Sequence, residues 1–195
     1  LAARATEPPI VPHADRPGGL AVRRPGLLLV ATALVMTGMI FGGNEVIAVA
    51  FADEAGTKTF SSIVLGAFAL GSTIAGLVFG ARVFRSTMTH RLLLAAGGMF
   101  LLEVPALFVD GLWPLAVVMF IAGSATAPLL ITSLSLAQRL VPKALVTEGM
   151  AVAITGILIG ISLGSAIAGW AIEAWSAQAA YAVPIAAGAC AFAII

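Results

Sequence analysis

Residues 23–51 read RRPGLLLVATALVMTGMIFGGNEVIAVAF, and this stretch decides the fold of the chain. A helix rises ~1.5 Å per residue, so about 20 residues cross a hydrocarbon core of ~30 Å. The apolar run from Leu27 to Phe51 exceeds that length. The basic pair before it and Pro25 suit the start of a membrane helix. The stretch therefore predicts a transmembrane helix over 27–51.

Five further apolar segments of comparable length follow this one. We predict that they form transmembrane helices at 60–84, 91–109, 112–137, 144–172 and 177–195, after a proline-rich cytoplasmic linker at 1–26. The composition of 61% hydrophobic and 10% charged residues lies far from that of a soluble domain. Transmembrane β-strands are excluded because they need shorter segments that alternate apolar and polar residues. The predicted fold is an all-α membrane protein with one bundle of six transmembrane helices.

Basic residues are sorted by side of the predicted membrane. Of the ten lysines and arginines, only Lys58 lies on the side opposite to the N-terminal linker. The other nine, which precede the first helix or belong to every second loop, are Arg4, Arg16, Arg23, Arg24, Arg82, Arg85, Arg91, Arg139 and Lys143. Cytoplasmic loops are enriched in lysine and arginine, so we expect both termini of this multi-pass chain to be cytoplasmic. With a net charge of +1, the chain offers nothing for a nucleic-acid partner.

Two glutamates fall inside predicted helices, where a charge is costly and usually faces a cavity or a partner. Glu45 follows Asn44 and has two interpretations. It is either a protonatable or substrate-contacting group in a polar cavity, or an interfacial residue that reaches the outer surface or bonds a neighbouring helix. Glu103, close to Pro105, is either a proton relay or a glutamic acid that hydrogen-bonds a carbonyl group freed by the proline.

The fourth predicted helix contains a polar stripe. Ser124, Thr126 and Thr132 lie on either side of Pro128. Interrupted helices of this kind often line the binding sites of secondary transporters. Alternatively, the hydroxyl groups satisfy backbone carbonyls that the proline releases.

Small residues recur at intervals of four. Gly38 and Gly42 form one such pair, Gly76 and Gly80 form another, and Gly156, Gly160 and Gly164 form a row in the fifth helix. This spacing lets helix backbones approach closely. We expect the fifth helix to be buried between neighbours rather than surrounded by lipid.

The sequence does not point to an enzyme, a metal site or a cofactor. Residues 160–164 match the G-x-S-x-G pattern of a nucleophile elbow, but that pattern needs a strand-to-helix turn and here it lies within a helix. The two histidines, His13 and His90, lie outside the predicted helices, so no Ser-His pair forms at depth. Motifs for nucleotide phosphates and for metal ligands are absent from the sequence.

Four stretches carry a family resemblance: 76–82 (GLVFGAR), 138–143 (QRLVPK), 147–150 (TEGM) and 156–164 (GILIGISLG). With them the chain resembles the C-terminal six-helix half of a major facilitator superfamily transporter, and is similar to bacterial proton-coupled efflux members. The resemblance implies that helices 1 and 4 line a cavity and that helices 2 and 5 contact the N-terminal half. Helices 3 and 6 would then be peripheral.

This mapping favours cavity positions for three residues of helices 1 and 4, namely Glu45, Asn44 and Thr132. It makes a cavity position less favoured for Glu103, which lies on helix 3. The family's loop signature between the second and third helices is only partly present. Its glycine and arginines remain as Gly80, Arg82, Arg85 and Arg91. Because no acidic residue occurs from 80 to 91, the charge-relay role of that loop is in doubt here.

We therefore expect secondary active transport of a small organic solute by alternating access, as proton-coupled efflux across a bacterial-type inner membrane. The bundle would rock against an N-terminal six-helix half. Leu1 and the apolar stretch 189–195 suggest a fragment of a longer protein. The alternative is a non-transport six-helix membrane scaffold or assembly protein.

Overall fold

A computed structural model describes residues 25–82 and 86–195. Within these ranges the chain is helical and contains no strand. The helices are α1 (Pro25–Glu54), α2 (Ser61–Ala81), α3 (Met88–Glu103), α4 (Leu112–Leu140), α5 (Val146–Ala174), α6 (Ala177–Ala180) and α7 (Ala182–Ile194). Most of the predicted linker and Arg85 lie outside the described residues.

Over the described ranges, six helical segments are long and apolar enough to cross a membrane, with α6 and α7 together forming the sixth. This confirms the predicted all-α fold with six transmembrane helices. Short 3-10 turns at Lys58–Phe60 and Lys143–Leu145 lead into α2 and α5. In the tight link between α3 and α4, Gly111 adopts a φ of 110°, which favours glycine.

The third span, Met88–Phe108, differs by a few residues from the predicted helix at 91–109. Helix α3 begins at Met88 because the Thr87 hydroxyl accepts a hydrogen bond from the His90 backbone N–H at 3.3 Å, an N-cap arrangement. Its α-helical part ends at Glu103 and continues as the 3-10 turn Val104–Phe108, since Pro105 lacks the N–H that would extend the ladder.

Other predicted ends shift by a few residues, and the last helix is broken. Helix α2 ends at Ala81 rather than 84, where Arg82 takes an extended backbone conformation. The predicted helices 112–137 and 144–172 instead end at Leu140 and Ala174. The predicted helix 177–195 is interrupted at Tyr181, because Pro184 cannot donate a hydrogen bond to the carbonyl of residue 180.

Helices α1 and α5 pack through direct backbone contact. A Cβ atom added to Gly160 would lie 2.0 Å from the Val35 carbonyl oxygen, and one added to Gly164 would lie 2.2 Å from that of Met39. Gly38 meets the α5 backbone in the same way. Any larger side chain would therefore force the two helices apart.

Within this bundle α5 is covered on one face, so its burial between neighbours stays a prediction. Its glycine face covers α1, but its opposite face is open to the surroundings. The exposed side chains are Ile154, Leu158, Ile159, Leu163 and Ile167. A glycine row thus predicts one close helix contact and does not predict what covers the other side of the helix.

Helices α2 and α4 repeat this arrangement. A Cβ atom on Gly71 would lie 1.9 Å from the Phe120 carbonyl oxygen, and one on Gly123 would lie 2.2 Å from that of Phe68. The six spans form two units of three, α1 to α3 and α4 to α7, because α6 and α7 together make one span. The second helix of each unit packs against the first helix of the other unit. The third spans of the two units are exchanged as well: α3 packs on α4, and α6 and α7 pack on α1. This reciprocal packing is what two three-helix repeats of inverted topology produce.

The buried fraction of each span distinguishes α1 and α4 from α2 and α5. In their most apolar windows, 56% of α1 residues and 50% of α4 residues are buried, against 17% for the span containing α2 and 22% for that containing α5. Helices α1 and α4 are therefore central, and α2 and α5 present broad apolar faces outward.

We predict that Gly164→Ala lowers the thermal stability of the purified protein in detergent. The new methyl group meets the Met39 backbone, and overpacking of this kind costs about 1–3 kcal/mol. Gly169→Ala is the matched control on the same helix, because no atom lies within 4 Å of the added Cβ. Equal melting temperatures for the two variants would contradict the packing described here.

Candidate functional site

A groove of 480 Å³ lies between α1, α2, α4 and α5. It is lined by Phe41, Asn44, Glu45, Leu65, Phe68, Leu130, Ile157 and Ile161. Phe41 and Phe68 meet edge to face with ring centroids 5.9 Å apart, which joins α1 to α2 across the groove. The wall is apolar except for one amide and one carboxylate, both from α1.

Close packing with α5 fixes the orientation of this part of α1. A Cβ atom on Gly42 would lie 2.1 Å from the Ile161 carbonyl oxygen, and the Ser165 hydroxyl donates to the Gly42 carbonyl at 3.2 Å. Successive helical residues point about 100° apart. With α1 held in this way, Asn44 is buried and Glu45 is exposed in the groove.

Glu45 is the single ionisable residue of the groove lining. Among the residues that the structure describes, none forms a hydrogen bond or an ion pair with its carboxylate. This position favours the first interpretation from the sequence, a protonatable or solute-contacting group in a cavity. The cavity wall is mainly apolar, however, rather than polar as expected.

Asn44 connects the groove to the interior of the bundle. Its Nδ2 donates a hydrogen bond to Oε1 of Glu103 on α3, and both side chains are buried. The expectation that Glu103 bonds a carbonyl freed by Pro105 is therefore wrong, because its partner is a side chain from another helix. The hydroxyl group of Tyr181 is also buried, and none of the described residues forms a hydrogen bond with it.

The polar stripe of α4 does not line the groove. The Ser124 hydroxyl donates to the Ile121 carbonyl at 2.6 Å. Pro128 has no N–H group, so it leaves the backbone carbonyl of Ser124 without its helical donor. The Ser124 hydroxyl does not satisfy that carbonyl. Thr126 and Thr132 are buried, and their hydroxyl groups have no hydrogen-bond partner in the described part of the chain. Leu130 is the residue that α4 contributes to the groove.

The loop residues of the family signature lie apart from the groove. Gly80 and Arg82 are exposed at the end of α2, and Arg91 lies in the first turn of α3. Arg91 borders a separate, smaller groove of 270 Å³ together with Phe79 and Ser86. None of these residues contributes to the lining of the larger groove.

Sequence reasoning missed two features of the site. It did not pair Asn44 with Glu103, although the only asparagine and the mid-span glutamate are both polar groups that need a partner in an apolar bundle. It also missed Tyr181, the only tyrosine, because the helix break that directs this side chain inward depends on Pro184.

The family model described as Major Facilitator Superfamily matches residues 9–195. No curated protein and no solved structure matches the chain significantly. The family match covers all six spans and therefore the whole groove.

We predict that the Glu45 position is accessible to water-borne reagents. In a Cys190→Ala background, Glu45→Cys should react with a small charged methanethiosulfonate, because Glu45 is exposed in the groove. Thr126→Cys, in the same background, should resist the reagent because Thr126 is fully buried. Labelling measured by mass spectrometry checks this, and equal labelling of both positions would contradict the placement of the groove.

Proposed function

Because the chain belongs to the major facilitator superfamily, we propose that its groove forms part of the path of a small organic solute that crosses a membrane by alternating access. Members of this family transport solutes across membranes and are, in general, transporters rather than enzymes. A groove bordered by the two central helices and the two most exposed ones supports this assignment. The non-transport scaffold has no comparable support.

The chemistry of the groove supports a proton-coupled mechanism. Glu45 is the one carboxylate in a mainly apolar wall, and it is exposed in the groove. It can be neutralised by a proton or paired with a cationic group of the solute, and it cannot hold both at once. Binding of one would therefore favour release of the other, which is the exchange that an efflux antiporter needs. The position of Glu45 is the single observation that carries the proposal.

The groove also indicates what completes it. The outward faces of α2 and α5 carry large exposed side chains such as Leu77 and Leu158, at 71% and 59% exposure. These two helices border the groove, so a second bundle placed against them would enclose it. We propose that this second bundle is an N-terminal six-helix half of the same transporter, and that lipid covers the remaining apolar surface.

We place the protein in a bacterial-type inner membrane with both termini cytoplasmic. The support is the sorting of basic residues to one side of the six spans. In this orientation the loop between α2 and α3, with Arg82 before it and Arg91 after it, is cytoplasmic, and the turn containing Lys58 faces outward.

We predict that Glu45→Gln reduces proton-driven flux of a transported solute in vesicles made with the full-length protein. Removal of the ionisable group should lower flux by at least about tenfold, equivalent to ~1.4 kcal/mol in the barrier. Glu173→Gln is the matched control, because Glu173 is exposed at the end of α5 and lies outside the groove. Wild-type flux in Glu45→Gln would contradict the proposed role of this residue.

A further inference from the structure

The contact between Asn44 and Glu103 leaves two polar atoms without a partner. The Asn44 amide donates through Nδ2 to Oε1 of Glu103. Within the described residues, Oδ1 of Asn44 and Oε2 of Glu103 are buried and have no hydrogen-bond partner. Both atoms are acceptors when the glutamate is ionised, and unpaired buried acceptors are costly.

One added proton would satisfy both atoms. A carboxylic acid and a primary amide each present a donor beside an acceptor, so they can form two parallel hydrogen bonds that close a ring. The first of these bonds is present in the structure. We propose that Glu103 binds one proton on Oε2 and donates it to Oδ1 of Asn44, so that an acid–amide pair links α1 to α3.

The surroundings favour a proton over a metal cation. Among the described residues, no lysine, arginine or histidine forms an ion pair with Glu103, although an ionised carboxylate at this depth needs a compensating charge. The pair, with the hydroxyl of Tyr181, supplies few oxygen ligands for a metal ion that prefers six or more, as calcium does. A proton needs only the acceptor that is already unpartnered.

No charged group from a packed helix competes for this site. In α1, Glu45 lies in the groove, and Asp53 and Glu54 are at the far end. There Asp53 pairs with Lys58 at 3.9 Å, and Glu54 accepts a hydrogen bond from the Ala177 N–H at 3.2 Å. The body of α4 contains hydroxyl groups and no ionisable residue before Arg139. In the sixth span the titratable groups are the buried Tyr181, between α6 and α7, and the exposed Cys190 of α7.

Loss of the proton would reach the groove through Asn44. Glu103 would release it from Oε2 to water, leaving a carboxylate beside the amide oxygen of Asn44. Two acceptors would then oppose each other, and the amide would have to rotate or separate. Because Asn44 also lines the groove, the proton on Glu103 controls one polar part of its wall. Only this link to the groove rests on the proposed function; the proton site itself does not.

Infrared spectroscopy of the full-length protein in lipid nanodiscs tests the proposal without a transport assay. At neutral pH the wild type should show the carbonyl stretch of a protonated, hydrogen-bonded carboxylic acid, and Glu103→Gln should lack this band. Asn44→Leu should shift the band, because its amide partner is lost. Glu173→Gln, which removes an exposed carboxylate, should leave the band unchanged.

Thermal unfolding gives a second, independent measurement. Glu103→Gln retains a ring of two amide hydrogen bonds without an ionisable group, so its melting temperature should depend less on alkaline pH than that of the wild type. Identical wild-type and Glu103→Gln spectra would overturn the proposal. So would a wild-type band that is insensitive to Asn44→Leu, or one that disappears when sodium is added at constant pH.

Discussion

Direct backbone contact between helices at glycine is the constraint on which the rest of the structure depends. Apolar helices in a bilayer gain no hydrophobic free energy by leaving lipid for one another, so their association relies on close packing. Gly160 and Gly164 bring α5 onto α1, and Gly71 and Gly123 bring α2 onto α4. These two contacts set the rotation of each central helix about its own axis. Rotation in turn decides which side chains face the interior and which face the groove.

The consequence is clearest at the adjacent residues Asn44 and Glu45. Adjacent residues of a helix point about 100° apart, so a rotation of α1 by that angle in one direction would bring Glu45 to the buried position of Asn44. The contact of Gly42 with Ile161 and Ser165 holds α1 in the observed orientation. The bundle therefore separates two carboxyl groups, with Glu45 accessible in the groove and Glu103 enclosed behind Asn44. Each glutamate has its own surroundings, and the two proposals assign each of them a different role.

The existence, length and order of the six spans could be predicted from the sequence, because the length of an apolar run sets its ability to cross a bilayer. The close contact of α1 with α5 was also predictable from their glycines, whereas the backbones of α2 and α4 meet at Gly71 and Gly123 and not at the predicted pair Gly76 and Gly80. The orientation of the helices was not predictable. Helix α1 is apolar around most of its circumference, so no amphipathic stripe reveals which side faces inward. The direction in which the polar stripe of α4 faces was not predictable either. It was expected to line the cavity, whereas Thr126 and Thr132 lie inside the bundle.

The pairing of Asn44 with Glu103 depends on two helices that are distant in sequence, and no local pattern encodes it. Proline effects were only partly predictable. Pro105 was expected to free a carbonyl for Glu103 but instead converts the end of α3 to a 3-10 turn, and Pro184 breaks the last span at Tyr181.

We propose that this bundle belongs to a transporter in which a proton and a solute use the same groove. Solute flux in proteoliposomes made with the full-length protein, measured with and without an imposed proton gradient, tests this. We expect flux to accelerate when protons run opposite to the solute, and a protonophore to remove the acceleration. Flux that is equal with and without the gradient would contradict it.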